Sequence, residues 1–119
     1  MAEDQISRLQ LALHEFAEAR DWNQFHDAKN LSMALVVEAG ELVEILQWLT
    51  AEEASKVMEE PRTAAAIREE LADVFGYLLR IADILDVSLV EALDQKLEVN
   101  EDKYPIIKSK GNAKKYTEL

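Results

Sequence analysis

Apolar residues recur every three or four positions along most of this chain, and each stretch of that pattern predicts an amphipathic helix. Ile6, Leu9, Leu13 and Phe16 mark a first helix from about Asp4 to Arg20, polar on its other side. A short link, Asp21 to Lys29, carries Trp22, Phe25 and His26. Asn30 has the chemistry of an N-cap for a second helix reaching about Leu49. Thr50 and Glu53 form a Thr-x-x-Glu capping box for a short exposed helix ending near Glu60. Pro61 suits a first helical turn, and a long third helix runs from there to about Leu85. Ser88 and Glu91 open a fourth main helix, which stops near Tyr104 because Pro105 cannot continue it. The expected architecture is all-α: a four-helix bundle with a short extra helix over residues 1–105, followed by a basic C-terminal tail, residues 106–119.

Two pairs of acids interrupt the apolar stripes. At about 100° per residue, Leu31, Leu35, Leu42, Ile45 and Leu49 all project within roughly 60° of Glu38, which therefore sits near the centre of its stripe. Ile67, Val74, Tyr77, Ile81 and Leu85 surround Glu70 within a similar arc, again at about 100° per residue. Glu41 and Asp73, each three residues further on, fall at the stripe edges, whereas Glu44 and Glu69 project onto faces open to water. An ionised carboxylate taken out of water without a partner costs several kcal/mol or becomes neutral, so four together call for cations.

One source of cations is ordinary: surface pairing with Lys29, Arg68 or Arg80, since acids three apart are common on solvated helices. The other is a metal, favoured because two pairs on separate helices both project onto apolar stripes. Oxygen-only ligands suit Mg²⁺, with Mn²⁺ the substitute, whereas zinc and iron sites usually add His or Cys. The chain has no Cys, and His14 and His26 lie outside both acid helices, so the Glu-x-x-His element of di-iron bundles is missing. Carboxylate-held metal with positions open to phosphate oxygens is a common arrangement for phosphoryl chemistry, making a phosphate ester or anhydride the natural substrate.

Composition narrows the partners. The chain has 119 residues, enough for one modest core, and only three Gly and two Pro, which favours helix. A net charge of −11 disfavours a nucleic-acid polymer, whose backbone is bound through Lys and Arg. The charged start resembles no signal peptide, no apolar run approaches membrane-spanning length, and the absence of Cys fits a reducing compartment, so a soluble cytoplasmic protein is expected.

Other residues gain meaning beside the acids. Lys96, Asn100 and Lys103 share one face of the fourth helix, where they either stay solvated among Glu98, Glu101 and Asp102 or clamp phosphates and a sugar hydroxyl. Trp22 and Trp48, the only tryptophans, are either gap-filling anchors or a clamp for a nucleobase. His14 and His26 read as surface or loop residues, though a neutral His can bond a base edge. The tail lysines, Lys115 among them, either aid solubility or form a flap with Tyr116 over an anionic ligand. A non-enzymatic alternative is an acidic helical module meeting a basic partner.

The run Glu38-Ala-Gly-Glu41 through Trp48, followed by Glu69-Glu70-Leu-Ala-Asp73-Val-Phe-Gly-Tyr77, closely resembles the all-α MazG-like nucleotide pyrophosphohydrolases. Arg20-Asp21-Trp22 to His26, Lys96, Asn100, Lys103, Tyr104, Pro105 and Lys115-Tyr116-Thr117 extend the resemblance over nearly the whole chain, and within the family it looks most like the short dCTP pyrophosphatase branch. That branch often carries a His where this chain has Leu13. The resemblance implies hydrolysis of a nucleoside triphosphate, dCTP or a modified dCTP first and dATP or dUTP as alternatives, to monophosphate and pyrophosphate. It implies Mg²⁺ held by Glu38, Glu41, Glu70 and Asp73, phosphate or sugar contacts from Lys96 and Asn100, Tyr77 at the deoxyribose, and Trp22 and Trp48 around the base. It also implies a homodimer or a homotetramer built from two dimers, and a short chain with broad apolar stripes gains core by such association.

Overall fold

A computed structural model describes residues 2–119, and all regular structure among the described residues is helical. The main helices are α1 (Ala2–Ala19), α2 (Ala28–Leu46), α4 (Pro61–Ile84) and α5 (Leu89–Lys103); the single turns α3 (Ala51–Ala54) and α6 (Ile106–Ser109) lie between and after them. The chain divides into two compact units, one running to Asp86 and the other Val87–Leu119.

In the first unit α2 packs chiefly against α4, and α1 adds a second contact to α4. The sealed core is small. Leu31 of α2 and Leu79 of α4 are its largest fully buried side chains, with Ile67 also buried, and Ala17, Ala64 and Ala82 fill the close approaches. Across that core Gln10 Nε2 donates to the Leu79 carbonyl at 3.0 Å, tying α1 to α4.

The helix ends explain where the local chemistry wins. Asp27, not Asn30, caps α2: its carboxylate accepts from the Asn30 N–H at 2.7 Å, which satisfies one of the helix's orphan donors. Asn30 is thus inside the first turn, and its amide donates to the Phe25 carbonyl and to Asp27 Oδ2. At the other end α2 stops at Leu46 rather than Leu49, and Leu49 N–H closes a tighter bond to the Leu46 carbonyl at 3.0 Å. The Thr50–Glu53 capping box forms in both directions, but its helix lasts only to Ala54 and a 3-10 turn, Val57–Glu59, follows. Glu60 caps α4 by accepting from the N–H groups of Arg62 and Thr63, with Pro61 at the first position. Ser88 caps α5 by accepting from Glu91 N–H at 3.3 Å; the return bond, from the Ser88 N–H to the Glu91 carboxylate, is not made.

Two aspartates take the left-handed backbone that usually falls to glycine: Asp21 at φ 56° after α1 and Asp86 at φ 55° after α4. Asp21 reverses the chain so that Trp22 N–H reaches back to the Ala17 carbonyl at 2.9 Å and the Trp22 ring meets Phe16 edge-on, centroids 5.8 Å apart. Gln24 Nε2 holds the turn by donating to both the Asp21 carbonyl and its carboxylate.

In the second unit the basic tail, read as either a solubility aid or a flap, brings Tyr116 to the end of α5. Tyr116, in a 3-10 turn spanning Tyr116–Glu118, meets Tyr104 edge-on at 6.1 Å, and Lys103 Nζ lies 4.7 Å from the Tyr116 ring. Truncating Leu79 to Ala should cost about 2–5 kcal/mol, as buried Leu deletions do. Asp27→Ala should cost about 1 kcal/mol through loss of the α2 cap. Urea unfolding of both variants measures the difference.

Candidate metal centre

The pairing of α2 with α4 brings Glu38, Glu41 and Glu70 together. One carboxylate oxygen from each lies within 4.8 Å of the other two. Glu38 and Glu70 are half-buried, and the Oε2 atom of each is sealed from solvent without a hydrogen-bond partner. No cation among the described residues answers them: the ion pairs there are His14–Glu18, Lys56–Glu52 and Arg80–Asp83, none of which involves these acids. The ordinary alternative of pairing with Lys29, Arg68 or Arg80 is therefore not realised. Asp73, one turn beyond Glu70, is exposed and stands outside the three-carboxylate group.

Three acids this close can bond to one another only by sharing a proton. Glu38 is accordingly pushed up from 4.5 to about 7, first by its bond to Glu41, then by burial, by its bond to Glu70, and by the charges of Glu41 and Asp73. Glu70 is also raised, chiefly by burial, with Glu41 and Asp73 adding to the shift while the bond from Glu38 opposes it. Two sealed, partnerless oxygens beside a third acid suit a hard divalent cation, and the absence of His and Cys from the group disfavours zinc or iron. The cluster could hold such an ion.

A cavity of about 240 Å³ lies alongside, walled by Leu13, Phe16, Trp22 and Tyr77, with His26, Asp73 and Arg80 also on its lining. Tyr77 joins it to the acids. Its hydroxyl is raised by burial and then by the charges of Glu38, Asp73 and Glu41, which places those carboxylates near the ring. Trp48, by contrast, is 86% exposed in the turn after α2 and does not line this cavity. Lys96, Asn100, Lys103, Tyr104 and Lys115 all belong to the second unit. There Lys103 and Tyr104 gather around Tyr116, while Lys96 and Lys115 are exposed and Asn100 is half-buried.

Two lining residues escaped the sequence analysis as site residues. Arg80 is only 5% exposed, and His26 sits against it rather than in open solvent. A signal for Arg80 was present: it projects about 20° from Asp73 along the same helix, seven residues on.

The sequence profile of the MazG-like family matches residues 33–119, a region that includes all four acids. The chain belongs to this family. It is 45% identical over 105 residues to dCTP pyrophosphatase 1 of Rattus norvegicus, and 46% and 45% identical to the proteins of that name from Bos taurus and Homo sapiens. Each match covers 88% of this chain but 62% of the relative, so the chain spans less than two thirds of the length of these relatives. The crystal structure of a pyrophosphatase from Archaeoglobus fulgidus superposes with a TM-score of 0.79 at 38% identity, covering 85% of this chain and 93% of that one. The match confirms the all-α MazG-like fold.

The raised carboxylates set the pH dependence of the metal-free protein. Between about 4.5, the ordinary value for Glu38, and about 7, its folded value, the folded state binds more protons than the unfolded one. Stability is greatest below that window and falls as pH rises through it. Thermal unfolding in chelator at pH 5 and pH 8 checks the sign, and Glu38→Gln should flatten the dependence.

Proposed function

We propose that the protein is a Mg²⁺-dependent nucleoside triphosphate pyrophosphohydrolase that converts dCTP, or a modified dCTP, to the monophosphate and pyrophosphate. The observation that carries this reading is the pair of sealed, partnerless oxygens of Glu38 and Glu70 beside Glu41, next to an aromatic cavity. The name dCTP pyrophosphatase 1, borne by relatives about as similar as 45% over most of this chain, supports the same substrate.

In this reading Glu38, Glu41, Glu70 and Asp73 hold the metal, with Mn²⁺ the substitute for Mg²⁺. Bound there, the ion would supply positive charge that makes a phosphorus of the triphosphate more electrophilic. The remaining work falls to the chain. The walls formed by Phe16, Trp22 and Tyr77 exclude water around the nucleoside, and Tyr77, close to the acids, orients the deoxyribose toward the metal centre. Trp48, exposed at the end of α2 and not on the cavity lining, would have to reach the base from outside that cavity. Lys96, Asn100, Lys103, Tyr104 and Lys115 serve the phosphates and sugar. A water oxygen joins phosphorus as a P–O–P bridge breaks, and pyrophosphate leaves.

We also place the working form as a homodimer or a tetramer of two dimers. The observation in favour is apolar surface without cover: Met33, Val36, Val37 and Val43 recur along one side of α2, and Leu71 and Phe75 on α4, all more than 40% exposed. Clusters of exposed large apolar residues are common at association surfaces. Light scattering should therefore give a mass of two or four chains, and Val36→Glu should shift it toward one.

The activity test is direct. With Mg²⁺, dCTP should yield dCMP and pyrophosphate; dCTP and the other common triphosphates all remaining intact would leave the acidic interaction module as the better account. Partners behind a metal ligand typically contribute about 10- to 100-fold, so Glu38→Gln or Glu70→Gln should lower kcat/KM by more than about 100-fold. Circular dichroism should remain helical in both variants, and the Mg²⁺-induced rise in melting temperature should be lost.

A further inference from the structure

Arg80 is the one buried charged residue among those described, at 5% exposure. A guanidinium cannot shed its proton, so burying it demands acceptors. It finds them on the link after α1: Nη2 donates to Asn23 Oδ1 at 3.0 Å and lies 3.4 Å from His26 Nδ1, while Nη1 is 3.7 Å from Asp83 and Nε is sealed without a partner. Arginine offers only donors, so His26 Nδ1 must face it as an acceptor. The proton of a neutral imidazole is then on Nε2. Burial and the Arg80 charge both lower the His26 pKa, consistent with a neutral ring.

The freed edge matters because of where the ring stands. His26 and Arg80 both line the cavity bounded by Trp22, Tyr77 and Asp73. Among the described residues the His26 Nε2 has no hydrogen-bond partner, and it is not sealed. Asp73, Tyr77 and Arg80 follow one another at positions four and three apart, so a single face of α4 links the acids to this pair.

We propose that Arg80 is a positioning residue for base selection, locking His26 as the Nε2–H tautomer so that the cavity presents a donor to a base with a ring-nitrogen acceptor. The base chemistry that fits is cytosine, whose N3 accepts; uracil and thymine carry N3–H there and would set donor against donor. This proposal rests on the reading of the cavity as the nucleoside site of a triphosphate hydrolase. Without the lock the imidazole can carry its proton on either nitrogen, and discrimination by this contact is lost.

The test uses the full chain with ¹⁵N-labelled histidine. Long-range imidazole ¹H–¹⁵N correlations of the wild type at neutral pH should show His26 with Nε2 protonated and Nδ1 bare; an Nδ1–H or doubly protonated ring would overturn the proposal. In Arg80→Met the spectrum should move to a mixture of tautomers, and the ratio of kcat/KM for dCTP to that for dUTP should fall about tenfold, the worth of one hydrogen bond. An unchanged tautomer, or an equal loss on both substrates, would show that Arg80 acts only through the fold. Should Arg80→Met not fold, His26→Leu removes the donor itself and must lower the same ratio; a ratio held at the wild-type value overturns the proposal. A wild type inert to every triphosphate would overturn the hydrolase reading and with it the base selection, while the imidazole spectrum would still decide the lock.

Discussion

Like-charge repulsion is built into the contact that holds the first unit together. α2 and α4 make its largest interface, and that interface carries three carboxylates within 4.8 Å, two with oxygens cut off from water. Leu31, Ile67, Leu79 and the buried alanines keep the helices together against this repulsion. The acids cannot relieve it by moving apart without opening that packing. Raised carboxyl pKa values let a proton relieve it, and a hard cation would relieve it further, so the electrostatics of the centre and the stability of the helix pair are one quantity seen from two sides.

What was legible in the sequence follows from which forces are local. Helical periodicity located the main helices, and projection singled out Glu38 and Glu70, because a stripe centre becomes a helix interface wherever the partner lies. Stripe edges are less decided. Glu41 reaches the cluster from its edge while Asp73 from the matching position on α4 remains exposed, a difference that periodicity along one helix does not report. Asp27 and Asn30 both have capping chemistry three residues apart, and pattern alone does not choose between them; the Asp27 carboxylate wins by accepting from the Asn30 N–H. The Thr50 box formed as read because both of its bonds are within one turn. Arg80 entered the sequence analysis only as one option for surface pairing with the acids; it does pair with Asp83, but its hydrogen-bond partners Asn23 and His26 are 57 and 54 residues away, a distance no periodicity reports.

The family relationship and the physical reading meet in the first unit but arrive from different directions. The family profile begins at Met33, so Trp22, Asn23 and His26, which build one wall of the cavity, lie ahead of the matched region. Glu38, Glu41 and Glu70 lie inside it. Arg80, also inside the matched region, is buried against that wall, and its role there is visible only through its contacts.

The left-handed turn at Asp21 has a consequence for that wall. A glycine there would reach φ 56° with less strain but would leave the unfolded chain more conformations to lose. Aspartate, gripped by Gln24 through its carbonyl and carboxylate, narrows the choice at both ends. Trp22 is consequently set against Phe16 before anything enters the cavity. A ligand meets a preorganised surface, and its affinity reflects the contacts it makes there rather than the entropy of assembling them.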